Sequence, residues 1–215
     1  MSSRLLLVRH GESTWNARSR WQGQADPPLS PFGERQAEDA AVRLAEIATI
    51  SAVWVSDLVR ARRTGELIAE HLGIAHVREE PRLRERDVGA WSGLTRDEIE
   101  ERWPGYLEAR RSPPDFESDD DLLSRTRAGV AAAVDDGSGA GEVLVVTHGG
   151  VIRTIERSLG AIPERLPNLG GRWLLADTPT DFTLGERVVL LEPDEVTVPR
   201  GPSEQDPIRP ADATK

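Results

Sequence analysis

Cysteine is absent from the 215 residues. That excludes disulfide staples, thiolate nucleophiles and cysteine-ligated metals together. Positive charge is in deficit: 27 Lys and Arg against 37 Asp and Glu leave a formal charge of −10. Nucleic acids and anionic membrane surfaces both reward a net positive surface, so neither is expected as a partner. A small anionic ligand stays open, because a pocket can be locally basic on an acidic protein. No apolar run approaches the roughly 20 residues of a membrane span. The N-terminal MSSRLLLVRH passes straight into a strand-like run and leaves no room for a signal peptide, so the expected location is the cytoplasm. Solenoid-type repeats are missing. Histidine is scarce, with four in the whole chain, and two of them stand in equivalent positions at the ends of apolar runs.

What is present is enough for one sizeable core: 38% of residues are hydrophobic. Leu5 to Val8 form a short, continuous apolar run, the mark of a fully buried strand. Ser30-Pro31 opens a helix, with serine as N-cap and proline in the first helical position. Its apolar stripe is Ala37, Ala40, Ala41, Leu44 and Ala48. Ala52 to Val55 read as a second strand, and Leu58 to Leu72 as a helix closed by Gly73. A third strand is expected around Ala75 to Val77. Thr95 to Ala109 read as a helix interrupted near Pro104-Gly105, and Ser112 to Ser118 as a loop. SDDD then starts a helix with acids at the positive end of its dipole. Val143 to Val146 are a fourth buried strand and Val151 to Leu159 a helix. Two last strands are expected at Trp173 to Ala176 and Val188 to Leu191. Strands apolar on both faces, alternating with helices, predict a largely parallel sheet covered on both sides. Residues 1–195 are expected to form the folded domain. Residues 196–215, with four prolines and no apolar period, are expected to form a disordered tail.

The chemistry lies at strand ends. In parallel α/β sheets, ligands bind at the carboxyl ends of strands, where chain order reverses. Leu5 to Val8 deliver Arg9 and His10 to such an end, and Gly11 permits a tight turn. Val143 to Val146 deliver His148, also followed by glycine. One such histidine is ordinary; two in the same context, one beside an arginine, point to a single pocket. Arg60 falls in the first turn of the helix after the second strand, within reach of the same rim. Arg62 and Arg63 read as surface residues. Glu85 lies beyond the third strand, an ordinary acid apart from the company it keeps.

In order, RHGE with STWN, LSPFG, SDLVRARRT, LRERDVGAWSG and VVTHGG resemble the histidine phosphatase superfamily, in the branch typified by phosphoglycerate mutase. The resemblance covers about Leu5 to Leu191. It implies a three-layer α/β/α sandwich with a mostly parallel central sheet. It implies His10 as the nucleophile that becomes phosphorylated, Arg9, Arg60 and His148 as a phosphate clamp, Asn16 and Gly149 in the phosphate site, and Glu85 as proton donor. These side chains suit the task. A neutral imidazole with its ordinary pKa of about 6.5 is an available nucleophile at pH 7. Two guanidiniums and a protonated His148 would stabilise charge on the equatorial oxygens. A carboxyl group beside a dianionic phosphate holds its proton more tightly and can pass it to the leaving oxygen. No metal and no cofactor are required, because the arginines supply the positive charge. The acidic cluster Asp119 to Asp121 reads as a helix start rather than a metal cradle.

The family divides by what accepts the phosphoryl group. Three features favour water over a second substrate hydroxyl. The segment between Glu85 and His148 is modest, where the family's mutases carry a longer one. Val88 stands where they place a tyrosine. Arg110-Arg111 is only a doubtful counterpart of their paired arginines. The expectation is a metal-independent hydrolase of small phosphomonoesters. The alternatives are a phosphoglycerate mutase, an inactive interaction module of the same fold, and a metal-dependent hydrolase. The resemblance also implies a homodimer through a sheet edge. Trp15, Trp21, Trp91 and Trp103 are candidates for the pocket wall, though core packing explains a tryptophan as often.

Overall fold

The computed structural model describes residues 3–136, 141–193, 195 and 209–210. The chain runs β1 (Ser3–Arg9), α1 (Pro31–Ile47), β2 (Ile50–Val55), α2 (Val59–His71), β3 (Val77–Glu79), α3 (Arg96–Arg102), β4 (Arg111–Ser112), α4 (Asp119–Asp136), β5 (Glu142–Thr147), α5 (Gly149–Ser158), β6 (Gly170–Thr178), β7 (Asp181–Val189) and β8 (Arg209–Pro210). Six strands form one sheet in the order β3-β2-β5-β1-β6-β7. The pairs β3-β2, β2-β5 and β5-β1 are parallel, and β6 runs antiparallel to both β1 and β7.

The side-chain alternation of buried strands supplies a core on each face. Leu6, Val8, Val53, Val55, Leu144 and Val146 pack with Ala40, Ala41 and Leu44 of α1 and with Ala61 and Ile68 of α2. Leu5, Leu7, Val143 and Val145 pack on the other face with Val130 and Ala133 of α4 and Ile152 and Ile155 of α5. Each fully buried aliphatic side chain contributes about 1.5–3 kcal/mol. The helix starts follow local chemistry. Ser30 Oγ accepts from Gly33 N–H at 2.9 Å ahead of Pro31. Thr95 and Glu98 form a reciprocal capping box on α3.

Several boundaries differ from the sequence expectation. Helix α3 stops at Arg102, and the chain from Trp103 to Arg110 turns instead, with Gly105 at φ +74° and Arg110 at φ +55°. Strand β3 is two residues later than expected. Strand β6 begins at Gly170, before the apolar run, because Gly171 lets the chain press against β1: a Cβ there would lie 2.5 Å from Leu7 O. Strand β7 begins at Asp181, after the tight Pro179-Thr180 turn, and ends at Val189, so buried Leu190 and Leu191 follow it. The tail expected over 196–215 lies outside the described residues, apart from Arg209–Pro210, which pair with Arg111–Ser112. Among the described residues no helix is long and apolar enough to cross a membrane.

The topology locates the site. Strands β5 and β1 are neighbours, yet the chain leaves β1 towards β2 through α1 and leaves β5 towards β6 through α5. Those two helices pack on opposite faces of the sheet. A crevice therefore opens at the carboxyl ends of β1 and β5.

Candidate active site

Strands β1 and β5 run in register, with Arg9 opposite Thr147. His10 N–H continues the ladder by donating to Thr147 O at 3.0 Å. The next residue of each strand emerges into the crevice, and these are His10 and His148. Their ring centroids are 5.2 Å apart, with the planes at 63°. His10 is 3% exposed and His148 is 0% exposed.

His10 Nδ1 lies 2.6 Å from Gly11 O. A carbonyl only accepts, so Nδ1 carries the proton and Nε2 carries the lone pair. That lone pair accepts from Arg60 Nε–H at 3.2 Å. Arg60 is fully buried on the second residue of α2. Its Nη1 donates to Ala25 O at 2.8 Å and its Nη2 to Gly23 O at 2.9 Å, which fixes the guanidinium edge-on to His10. Burial pushes the Arg60 pKa down to about 10, against the opposing pull of Glu85 and Asp26, so it stays cationic at neutral pH. Thr64 joins the two loops: its Oγ1 donates to Arg60 O at 2.7 Å and accepts from Gly11 N–H at 3.1 Å. Gly11 is required by contact, since a Cβ there would lie 2.5 Å from Gly33 O.

His148 Nε2 lies 2.9 Å from Ser56 Oγ, and that hydroxyl accepts from Leu58 N–H at 3.3 Å. The serine hydroxyl can donate to Nε2 while accepting from Leu58, an arrangement that would leave the His148 proton on Nδ1. Nδ1 is buried and has no hydrogen-bond partner. Burial first, then Arg60, His10, Arg125 and Arg9, hold the His148 pKa well below the ordinary value. The His10 pKa is lowered too, by burial and then by Arg60 and Arg9. Burial and the surrounding cations both oppose a charge on His148 in the ligand-free site, and a bound phosphate dianion would act the other way. With the proton on Nδ1, the unpartnered Nδ1–H would be offered to an anion.

Glu85 follows a 3₁₀ turn at Pro81–Leu83. Its Oε2 accepts from Gly150 N–H at 3.1 Å and its Oε1 from Arg86 N–H at 2.8 Å. The carboxylate therefore sits against the first turn of α5, beside His148. Gly150 makes room for it: a Cβ would lie 2.2 Å from Oε1. Arg9 is buried, with Nη1 donating to Leu166 O at 2.7 Å. Its Cδ lies 3.6 Å from where a Gly149 Cβ would stand. Asn16 lies in the turn after β1, and its Oδ1 accepts from Ser13 N–H at 3.1 Å. That holds the carbonyl edge of the amide and leaves the NH₂ edge for an acceptor.

The structure thus brings His10, Arg9, Arg60, Glu85, His148 and Gly149 around one crevice. Arg62 and Arg63 are surface residues, paired with Glu66, Glu79 and Glu34. Trp91 is fully buried against Trp21, Trp103 and Phe116 in a separate apolar cluster, which is core packing. Asp119 pairs with Arg86, and Ser118 Oγ caps Asp121 N–H at 3.1 Å, so this acidic run serves the start of α4. Sequence reasoning missed Ser56, Thr64, Gly150 and Asn168, whose Nδ2 donates to His10 O at 2.8 Å. Ser56 had a signal: it directly follows β2, next to β5, and so borders the same crevice. Asn168 had none, because only the fold brings it under His10.

A family model described as the histidine phosphatase superfamily (branch 1) matches residues 5–171. A metal-independent phosphoserine phosphatase of Arabidopsis thaliana is 40% identical over 158 residues, which cover 70% of this chain and 66% of that protein. A 2,3-bisphosphoglycerate-dependent phosphoglycerate mutase of Nitrobacter hamburgensis is 37% identical over 178 residues, 77% of this chain and 86% of the other. The solved structure of mycobacterial glucosyl-3-phosphoglycerate phosphatase with VO3 superposes with a TM-score of 0.73 at 32% identity. The match covers 86% of this chain and 98% of that one.

Proposed function

The chain belongs to the histidine phosphatase superfamily (branch 1), and from that premise we propose that it hydrolyses small phosphomonoesters through a phosphohistidine on His10, without a metal. The observation that carries this reading is the orientation of His10. Its proton is committed to Gly11 O, and its Nε2 lone pair faces Arg60 and the second histidine. The depressed pKa keeps that lone pair available below neutral pH.

In the first half-reaction Nε2 attacks phosphorus, the N–P bond forms and the P–O(ester) bond breaks. Arg9, Arg60 and the Nδ1–H of His148 are placed to take the charge on the equatorial oxygens. The leaving oxygen takes a proton from the Glu85 carboxyl group. In the second half-reaction water attacks phosphorus, Glu85 as carboxylate accepts the water proton, and the N–P bond breaks to release phosphate.

Water is proposed as the acceptor because two of the similar proteins are named phosphatases. Residues of this chain agree. Val88 stands three residues after the acid, and the Arg111 guanidinium lies over the Tyr106 ring at 4.7 Å. Mutase activity is the second reading, supported by the similar bisphosphoglycerate-dependent enzyme. The test is incubation with phosphoserine, glucosyl-3-phosphoglycerate and 3-phosphoglycerate, the last with 2,3-bisphosphoglycerate added, in excess EDTA. Inorganic phosphate release from at least one monoester is expected. Conversion of 3- to 2-phosphoglycerate without net phosphate release, or loss of all turnover in EDTA, would overturn the proposal.

A further inference from the structure

The loop carrying Glu85 is held by a second set of contacts that the phosphoryl chemistry does not use. Between the 3₁₀ turn at Pro81–Leu83 and the one at Gly89–Trp91 it has no regular structure of its own. Arg125, on α4, supplies the missing restraint. Its Nη1 donates to Arg82 O at 2.9 Å and to Arg84 O at 2.6 Å, and its Nη2 donates to Glu85 O at 2.9 Å. The remaining donors go to Glu117: Nε to Oε1 at 2.6 Å and Nη2 to Oε2 at 2.8 Å. A guanidinium has five N–H donors, and all five are used. Glu117 is fastened to the far end of the same loop, because its Oε2 accepts from Asp87 N–H at 3.0 Å and its own N–H donates to Asp87 O at 2.9 Å. One ion pair therefore grips the main chain on both sides of the acid and at the acid itself.

We propose that Arg125 and Glu117 are positioning residues for proton transfer: they set the main chain of Glu85 so that its carboxyl group meets the leaving oxygen. The proposal rests on the reading of Glu85 as proton donor. Its physical basis is reach. The guanidinium's five donors hold three carbonyls and the Glu117 carboxylate at once; a lysine ammonium has three donors and a neutral amide two, so neither replaces the whole set. A shift of about 1 Å in a reacting group costs on the order of 10² in rate.

The test compares kcat/KM on two monoesters, which reports steps up to departure of the leaving group. 2,4-Dinitrophenyl phosphate has a leaving oxygen that needs no proton; glycerol 2-phosphate has one that does. Arg125→Gln is expected to lower kcat/KM on glycerol 2-phosphate by on the order of 10² while leaving the dinitrophenyl ester close to wild type. Arg125→Lys should show the same selectivity, and Glu117→Gln a weaker form of it. Glu85→Gln is the reference and should be selective in the same sense. Selective loss in Glu85→Gln together with equal loss on both esters, or none, in Arg125→Gln overturns the positioning role alone. An unselective Glu85→Gln overturns the proton-donor reading beneath it. Should Arg125→Gln not fold, Glu117→Gln decides. Should neither fold, the pair is a folding determinant and the positioning role is rejected.

Discussion

Replacing Gly150 by alanine would put a methyl group where the Glu85 carboxylate now lies. The added Cβ would stand 2.2 Å from Oε1, 3.0 Å from Cδ and 3.3 Å from Oε2. Non-bonded carbon and oxygen sit about 3.3–3.6 Å apart even in close contacts. The carboxylate must therefore retreat by roughly 1 Å, which also stretches the 3.1 Å bond from Gly150 N–H. The backbone itself accepts alanine: Gly150 is the second residue of α5 and is not among the positive-φ glycines. Alanine in a helix is favoured over glycine by up to about 1 kcal/mol, so the clash is relieved by the flexible tip of Glu85 and not by unfolding. Since about 1 kcal/mol moves the Tm of a chain of this length by roughly 2–4 °C, the thermal midpoint should stay within a few degrees of wild type. Activity should not: a 1 Å misplacement of the acid lowers kcat/KM on an alkyl phosphate by about 10². The assay is phosphate release from glycerol 2-phosphate beside a calorimetric scan. An alanine variant of wild-type activity would refute the role assigned to the Glu85 position, and so would one whose loss merely tracks a large fall in Tm.

Arg60→Lys removes the fork that serves His10, Gly23 and Ala25 at once. Its kcat/KM should fall by about 10²–10³, and stranded buried carbonyls should lower stability by about 1–3 kcal/mol, read from steady-state rates and urea melts. The buried histidines make stability pH-dependent. Below about pH 6.5 the unfolded chain takes up protons that folded His10 and His148, with lowered pKa values, refuse. Stability present above pH 6.5 is therefore lost as pH falls towards those lowered values, by up to about 1.4 kcal/mol per pH unit for each histidine. Urea midpoints at pH 7.5 and 5.5 should show the drop, and His148→Gln should reduce it by about half. Gly33→Ala would place a Cβ 1.9 Å from Glu12 O, with main chain on both sides of the clash. A loss of about 3 kcal/mol or more is expected in chemical denaturation, since no flexible side chain can give way.

What the sequence made legible were local signals that agree with the fold. Apolar runs ending in RHG and THG place both histidines at strand ends, and Ser30-Pro31, Thr95 and Gly73 mark helix boundaries through cap chemistry. The antiparallel entry of β6 was not legible, because Gly170-Gly171-Arg172 has no apolar period and is extended by its neighbours in the sheet. Helix α3 was overread because Glu100 to Leu107 keep a partly helical pattern, although Gly105 adopts a left-handed turn there. Within the site, the downward pull on the His148 pKa could not be read at all. It comes from packing and from arginines that are remote in sequence. Gly150, Asn168 and Arg125 matter through partners that only the folded chain supplies: Glu85, His10 O and the carbonyls of Arg82, Arg84 and Glu85.

The measurement closest to the central claim is trapping of the covalent intermediate. A single turnover of a ³²P-labelled monoester, quenched in alkali within milliseconds, should leave label on the peptide containing His10. That label should survive base and be lost in acid, and it should be absent from His10→Ala. Turnover in which no label is ever trapped, or label that persists in His10→Ala, would contradict the account.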